Sequence, residues 1–126
     1  MECTLSGHDF EECYQLQKKM LTAAKEHKCS ECGRVIVKGE KFEFYSGKAE
    51  GEIFTCKTCL DCVSLRDIFY PDGGWYAGSI LDEIAENIEY NLNGEVSAEC
   101  ILPLTDAAKE FVFKVIEETW AGQEDQ

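Results

Sequence analysis

Residues 29–34 (CSECGR) and 56–62 (CKTCLDC) contain five of the eight cysteines in this chain of 126 residues. The first segment is a CxxC followed by glycine, a pattern in which backbone N–H groups can turn back toward the two sulfurs. The second segment contains two overlapping CxxC pairs. Two CxxC pairs about 25 residues apart can offer four thiolates to a tetrahedral Zn²⁺, with Zn–S distances near 2.3 Å. The spacing therefore predicts one zinc-binding finger.

The second segment leaves a choice of ligand pair, because either Cys56 with Cys59 or Cys59 with Cys62 would complete the site. Residues 63–69 show helical apolar spacing, so Cys59 and Cys62 would lie at the start of a helix, where unbonded N–H groups stabilise thiolates. We therefore expect Cys56 to be the spare. A site with four thiolates has no open position for water, so the single zinc ion is expected to be structural and not catalytic. The predicted ligands are Cys29, Cys32, Cys59 and Cys62.

Three further cysteines and one histidine are expected to have other roles. Cys13 lies on an apolar stripe and is expected in the core, Cys3 lies near a frayed end, and Cys100 is expected as a small apolar residue in a buried connector. The first residues have no basic and apolar leader, which predicts a reducing compartment where cysteines stay reduced. His27, close to the first CxxC, is an alternative zinc ligand.

The residues around the cysteines predict the fold of the finger. β-Forming residues cluster at 34–38 and 41–45 around a tight turn, and a third short strand is predicted at 52–55 after a turn at 46–51. A helix follows and carries the second ligand pair. This order of knuckle, β-hairpin and helix predicts a treble-clef-like zinc finger over residues 29–69 of an α+β chain.

The chain is expected to form a single domain, residues 1–126, since no linker is long enough to separate two domains. An N-terminal helix is predicted from apolar residues at helical spacing, with Ser6 or Asp9 as its cap. The expected parts are the N-terminal helix (1–28), the zinc finger (29–69), an acidic helical part (70–122) and a tail (123–126).

Two helices are predicted in the acidic helical part. Ser79 and Asp82 form a capping-box pattern ahead of the first, whose apolar residues repeat at i, i+3, i+4, i+7 and i+11. The second opens at Thr105 and is apolar over well over half of its circumference, whereas a helix packed on one face needs a stripe of only roughly 100°. This last helix is therefore either sandwiched between other elements, or it presents Phe113 and Trp120 to a partner or to a second copy.

Negative charge is concentrated in the second half of the chain. The sequence has 25 acidic and 12 basic residues, a formal net charge of −13, and the only basic residues within 67–126 are Lys109 and Lys114. Duplex nucleic acid would be repelled by this half, because direct binding depends on cations that replace the counterions of phosphates. The charge indicates either a solvated surface that aids solubility or a face that meets a basic protein surface.

Carboxylates on the helix after Ser79 give the second interpretation a concrete form. Those of Asp82, Glu86 and Glu89 recur every turn, about 5–6 Å apart. Backbone phosphates have a similar spacing, so this face can imitate a nucleic acid and occupy a basic groove. The predicted partner-binding residues are Asp82, Glu83, Glu86, Glu89, Phe113 and Trp120.

Several functional classes are disfavoured by what the sequence lacks. No stretch approaches the roughly 18 consecutive apolar residues of a membrane-spanning helix. Nucleases built on such a finger need histidines to activate water and hold a catalytic metal, but both histidines of this chain, His8 and His27, precede the finger. No Ser/His/Asp set, phosphate-binding glycine loop or HExxH is present. We therefore expect a protein that is not an enzyme.

A nucleic-acid-binding regulator is the alternative function. Basic and aromatic residues are interleaved in the finger, and such a surface can grip a single strand. However, residues 29–66 contain six acidic and six basic residues, and bound thiolates would add negative charge. The residues concerned are Arg34, Lys38, Lys41, Lys48, Lys57 and Arg66, with Phe42, Phe44, Tyr45 and Phe54.

A series of motifs runs through residues 28–78: CSECGRVIVKGEKF, then GKAEGE, KTCLDC and LRD. The series resembles a family of small uncharacterised phage and prophage zinc-finger proteins, in which CxxCG-x-x-I-x-x-GE-x-[FY] precedes G-x-x-x-GE, KTCxxC and LRD. The resemblance implies that Cys59 and Cys62 are ligands and leaves Cys56 outside the pattern. The family's turn usually carries an aromatic residue and an Asp, where this chain has Lys48-Ala49-Glu50-Gly51.

These observations predict a zinc-stabilised acidic protein-binding module of phage type, in the cytoplasm of a bacterial host cell. The expected partner is a nucleic-acid-processing protein with a basic surface, which the module inhibits or regulates in the manner of an anti-CRISPR or anti-restriction protein. Homodimerisation through the last helix is a further expectation.

Overall fold

A computed structural model describes residues 3–5, 13–71, 73, 75 and 77–124, which combine strands and helices. The strands of this described part are β1 (Cys13–Thr22), β2 (His27–Lys28), β3 (Val35–Ile36), β4 (Lys41–Ala49) and β5 (Glu52–Cys59). Its helices are α1 (Leu60–Phe69), α2 (Ile80–Glu86), α3 (Ala98–Ile101) and α4 (Asp106–Glu124), and a π-helical turn (Asn87–Asn91) continues α2. Among these helices none has the length and apolar character that a membrane crossing requires.

Three strands form an antiparallel sheet in the order β1–β4–β5. β4 and β5 are a hairpin whose two turn residues, Glu50 and Gly51, have φ of 53° and 84°, as a type I′ turn requires. β1 lies at one edge of the sheet, and its register with β4 shifts between Gln15 and Gln17. β2 and β3 form a separate small sheet that flanks the first CxxC.

The helix predicted within residues 1–28 is wrong, because residues 13–22 form β1. Gln, Leu, Lys and Met favour a helix locally, but β4 offers this segment a long ladder of backbone hydrogen bonds that only tertiary pairing supplies. Leu16 and Met20 are two of the apolar residues whose helical spacing predicted that helix and its buried stripe, yet each is 53% exposed. The caps proposed at Ser6 and Asp9 lie outside the described residues.

The hairpin predicted between residues 34–38 and 41–45 is also wrong. Val35–Ile36 pairs with His27–Lys28 in the small sheet. β4 starts only at Lys41, continues through residues 46–49 of the turn predicted at 46–51, and pairs with β5. The β-forming residues were placed correctly, but their partners were not. Pairing is decided by which segments meet in space, and local residue preferences do not contain that information.

The described residues form two hydrophobic cores, and the larger one lies between α1 and the helical part. The apolar repeat predicted for α2 and its π-helical turn is confirmed, since Ile84 and Ile88 are fully buried. α4 begins as predicted, with the hydroxyl of Thr105 accepting the N–H of Ala108 at 3.3 Å. α4 buries one face and leaves its other side exposed, so it is not sandwiched on all sides. Its buried residues are Ala108, Val112, Val115 and Thr119.

A disulfide between Cys3 and Cys100 links the N-terminal segment to α3, with Cα atoms 5.7 Å apart. The expectation that all cysteines are reduced is wrong for this pair, although Cys100 is buried as predicted. The N–H of Leu5 also donates to the carbonyl of Phe69 at 2.8 Å. The two cysteines are 97 residues apart, so no spacing motif indicated their pairing.

A buried ion pair joins α1 to the sheet. The guanidinium of Arg66 donates to both carboxylate oxygens of Glu43, on β4, at 2.7 Å each. The guanidinium also lies 5.2 Å from the ring centre of Trp75. Burial opposes the charge of Arg66, but its hydrogen bonds to Glu43 and the negative charges of Glu43 and Asp67 together outweigh burial and raise the pKa of Arg66. The pair thus fixes the sheet and α1 against each other.

We expect Glu43→Ala to lower the free energy of unfolding by about 3–5 kcal/mol, because the charge of Arg66 would stay buried without its partner. Asp67→Ala is the control, since Asp67 is also near Arg66 but is 58% exposed, and it should cost less than about 1 kcal/mol. Urea unfolding of both variants measures the difference. Equal effects of the two substitutions would contradict the structural role of the pair.

Candidate metal centre

Four cysteine sulfurs converge where the β2–β3 turn meets the junction of β5 and α1. The Sγ atoms of Cys29, Cys32, Cys59 and Cys62 all lie within 4.8 Å of one another. Cys29 and Cys62 are separated by 3.9 Å, and Cys32 and Cys59 by 3.8 Å. In a tetrahedral site with Zn–S bonds of 2.3 Å, the sulfurs lie about 3.8 Å apart. The structure therefore brings together the four predicted ligands at the spacing of a tetrahedral metal site.

A tight backbone turn presents the first pair. The N–H of Cys29 donates to the carbonyl of Arg34 at 2.8 Å, and the N–H of Gly33 donates to the carbonyl of Cys29 at 3.0 Å. Gly33 has a φ of +76°, which glycine adopts without steric cost. The sulfur of Cys29 accepts the N–H groups of Glu31 and Cys59, each at 3.4 Å. The CxxCG motif thus directs one of its own N–H groups, that of Glu31, toward one of its two sulfurs, so the prediction is confirmed in part.

The start of α1 presents the second pair. Cys59 is the last residue of β5 and immediately precedes Leu60, the first residue of α1, whereas Cys62 lies in the first turn of the helix. The unbonded N–H groups at a helix N-terminus favour negative charge. Three of the four cysteines are buried and Cys32 is exposed. The cluster is thus closed on the inside and reaches the surface at one corner.

Three of the thiols, those of Cys29, Cys59 and Cys62, shift one another's pKa. Hydrogen bonds from the thiols of Cys59 and Cys62 lower the pKa of Cys29. The same contact with Cys29 raises the pKa of Cys59 to about 11 and also raises the pKa of Cys62. Deprotonating these three sulfurs together therefore requires added positive charge, which a bound dication supplies. A closed set of soft sulfur donors at tetrahedral spacing fits zinc.

A guanidinium stands beside the cluster. Arg34 donates to the two carboxylate oxygens of Glu40 at 3.0 and 2.6 Å, and it lies 3.3 Å from Asp61. Its pKa is raised, chiefly by Glu40 and also by Cys59. The buried Nε of Arg34 has no hydrogen-bond partner among the described residues. A thiolate at Cys59 would complement this cation, so the surroundings fit metal-bound sulfur.

Cys56 and His27 lie outside the four-sulfur cluster. Cys56 is on β5 opposite Tyr45, and burial raises the pKa of its thiol to about 11, which keeps it protonated near neutral pH. The Nδ1 atom of His27 is 3.2 Å from Nζ of Lys57, and its ring centre is 5.1 Å from that of Phe42. The structure thus does not bring the alternative ligands to the cluster.

Glu31, between the first two cysteines, connects the cluster to the helical part. Its carboxylate accepts the N–H of Gly78 at 2.6 Å and the N–H of Ile80 at 3.0 Å. Burial raises the pKa of Glu31, and these two hydrogen bonds partly oppose the rise. The capping box predicted for Ser79 with Asp82 is wrong, because Ser79 makes no side-chain cap and Glu31 caps α2 instead. Sequence reasoning missed this role because the contact spans 47 residues.

Asp61, between the second pair of cysteines, contacts Thr105, the residue that precedes α4. Its Oδ1 accepts the hydroxyl of Thr105 at 2.7 Å, and that hydroxyl caps α4. Each ligand pair therefore contains a carboxylate that reaches the start of one helix.

The predicted partner-binding acids are at the surface but do not keep the predicted even spacing. Asp82, Glu86 and Glu89 are exposed, and Glu83 is half-buried. Asp82 and Glu86 lie on α2, whereas Glu89 lies in the π-helical turn, where the number of residues per turn is larger. The stack of one carboxylate per α-helical turn therefore does not extend to Glu89.

The two predicted apolar contact residues of α4 differ in their surroundings. Phe113 is 48% and Trp120 is 45% exposed. The indole N–H of Trp120 donates to the carbonyl of Gly94 at 3.2 Å, and a Cβ at Gly94 would meet Nε1 of Trp120 at 3.0 Å. Trp120 is thus packed on the turn after the π-helical residues, and Phe113 is the more open of the two.

No protein-family description, curated protein or solved structure shows significant similarity to this chain. The resemblance to phage zinc-finger proteins therefore stays a prediction from the motifs.

We expect the purified protein to contain about one zinc ion per chain, because four sulfurs satisfy one tetrahedral ion. Cys59→Ser should abolish stoichiometric zinc, whereas Cys56→Ser, three residues earlier on the same strand, should retain it. Elemental analysis gives the content, and the visible spectrum of the cobalt-substituted protein reports the sulfur ligands. Equal loss of metal in the two variants would contradict the ligand assignment.

Proposed function

We propose that the protein is a protein-binding module in which one structural zinc ion keeps an acidic helical surface in place for a partner with a basic surface. The observation that carries the proposal is the contact of Glu31, a residue of the cysteine cluster, with the start of α2. Four sulfur ligands leave no coordination position for water or substrate, so the role of zinc is to hold the fold. The proposed ligands are Cys29, Cys32, Cys59 and Cys62.

The charges on the helical surface support a basic partner. Within the described part of the chain, no cation forms an ion pair with Asp82, Glu86 or Glu89. Unpaired carboxylates on one exposed segment produce a negative potential that attracts a basic surface and speeds association. Phe113 and Trp120 of α4 add exposed apolar area, which we propose as a second contact region for the partner or for a second copy of the chain.

The narrower form of the proposal names the class of partner. Asp82 and Glu86 occupy adjacent turns of α2, and such a pair can substitute for neighbouring phosphates in a basic groove. We therefore propose a nucleic-acid-processing protein as the partner, inhibited in the manner of an anti-CRISPR or anti-restriction protein. The motif resemblance to phage proteins supports this form.

The order of elements supports a treble-clef-like interpretation of the finger. The turn between β2 and β3 carries the first ligand pair, the hairpin β4–β5 follows, and the start of α1 completes the second pair. In this interpretation the hairpin is β4–β5 and not the one predicted from the sequence.

The alternative nucleic-acid-binding function receives less support. Arg34 is paired with Glu40, and Arg66 is buried against Glu43. Phe42 is buried in the smaller core. Fewer cations and rings are therefore open to a nucleic-acid strand than the sequence alone suggested, and the observations favour the acidic protein-binding function.

The test measures inhibition of DNA binding by two purified enzymes with basic duplex channels, a CRISPR effector complex and a type I restriction enzyme. We expect the wild-type protein to displace a labelled duplex from at least one of them. The triple variant Asp82→Lys, Glu86→Lys, Glu89→Lys should require at least roughly tenfold more protein at low salt, because it replaces attraction by repulsion. Fluorescence anisotropy of the duplex reports displacement.

The matched control is Glu26→Lys, Glu50→Lys, Glu52→Lys, which reverses three exposed acids of the finger half and changes the net charge equally. It should inhibit like the wild type, and zinc content should be unchanged in both variants. Equal loss of inhibition in the two variants, or no displacement from either enzyme by the wild type, would refute the proposed inhibitory function.

A further inference from the structure

We propose that Glu31 is a positioning residue through which the zinc site holds the start of α2. In this proposal, zinc binding and the packing of α2 against the β2–β3 turn strengthen each other. The inference rests on the zinc site of the proposed function but not on the binding of any partner. It concerns only the contact between the β2–β3 turn and the residues that open α2.

Both carboxylate oxygens of Glu31 contact the backbone around the start of α2. Glu31 accepts the N–H of Gly78 at 2.6 Å and that of Ile80 at 3.0 Å, one on each carboxylate oxygen. The N–H groups at the start of a helix have no partner within the helix. A carboxylate there also interacts favourably with the helix dipole. Because Ser79 makes no side-chain cap, Oε1 of Glu31 caps the first N–H of α2, that of Ile80, and Oε2 holds the backbone at Gly78, just before the helix.

Glu31 is itself part of the proposed metal-binding turn. It lies between Cys29 and Cys32, and its own N–H donates to the sulfur of Cys29 at 3.4 Å. A metal ion bound by both cysteines would restrict the backbone on either side of Glu31. Metal binding would thus order the backbone of Glu31 in advance, and the hydrogen bonds from α2 to its carboxylate would form at a lower entropic cost.

The turn that carries Cys29 and Cys32 lies close to the start of α2. A Cβ at Gly78 would lie 3.9 Å from the carbonyl oxygen of Ser30. The backbone of the knuckle, the turn that carries Cys29 and Cys32, therefore packs directly against the residues that precede α2. Leu81, the second residue of α2, packs against both hydrophobic cores. A displacement of the knuckle would therefore reach α2 through both a polar and an apolar contact.

Coupling between two binding events is reciprocal. If zinc favours the docked position of α2, the docked position must favour zinc by the same factor. Removing the carboxylate of Glu31 should therefore weaken zinc binding, even though Glu31 is not a ligand. A capping contact without this coupling would leave the affinity for zinc unchanged.

The test compares Glu31→Ala with Glu26→Ala in the zinc-loaded protein. Glu26 is exposed, precedes Cys29 by three residues and carries the same charge, so it controls for the loss of one negative charge near the ligands. In Glu31→Ala we expect the amides of residues 78–84 to exchange at least roughly tenfold faster, since a hydrogen bond to a charged group is lost. Those of residues 106–119 should exchange as in the wild type.

The second measurement is zinc affinity by competition with a chelator. Glu31→Ala should bind zinc roughly tenfold more weakly than Glu26→Ala. Glu31→Gln, which keeps the side-chain length and one acceptor oxygen, should lie between Glu31→Ala and the wild type in both measurements. If Glu31→Ala also speeds the amide exchange of residues 106–119, the comparison of Glu31→Gln with Glu26→Ala tests the coupling instead. Glu31→Gln should then bind zinc more weakly than Glu26→Ala, and the reverse order would contradict the coupling.

Unchanged exchange of residues 78–84 would overturn the capping role, and equal zinc affinity in the Glu31 and Glu26 variants would overturn the coupling. A wild-type protein without stoichiometric zinc would refute the proposed zinc site as well. Normal zinc affinity together with failed displacement of duplex would refute only the proposed inhibition. The failures of the two proposals are thus distinguishable.

Discussion

The convergence of two distant chain segments on four sulfur atoms is the constraint on which the rest of the structure depends. The turn that carries Cys29 and Cys32 is held against the junction of β5 and α1, and the sulfurs lie within 4.8 Å of one another. The hydrophobic core around them is small, with Ala23, Ile36 and Phe42 as its other buried members. A metal ion held by these sulfurs would add its binding free energy directly to folding, and would so supplement this small core.

Both ligand pairs contain a carboxylate that connects the finger to the helical part. Glu31 accepts the N–H of Ile80, the first residue of α2, and that of Gly78 just before the helix. Asp61 accepts the hydroxyl of Thr105, which caps α4. Helix N-termini favour negative charge because their N–H groups are unbonded and their dipoles point outward. The acidic half is thus attached to the finger at two helix starts, each next to a pair of cysteines.

The two halves of the chain use their charges differently. In the finger, the guanidinium groups of Arg34 and Arg66 are paired with Glu40 and Glu43, so these cations serve the fold. On α2 and its π-helical turn, the three exposed acids Asp82, Glu86 and Glu89 form no ion pair among the described residues. A surface of this kind costs self-repulsion when the protein is alone, and a basic partner would relieve it. This contrast is why the proposed function places the partner on the helical half.

The sequence by itself determined the cysteine cluster, because CxxC spacing and the helical pattern after Cys62 are local properties of the chain. It also determined the apolar faces of α2 and α4, since helical periodicity is local as well. Only the tertiary structure decided that residues 13–22 form a strand, that Cys3 pairs with Cys100, and that Glu31 caps α2. Each of these depends on a partner far along the chain, 97 residues for the disulfide and 47 for the cap. Local preference cannot specify such contacts, because their free energy arises only when the folded chain brings the two groups together.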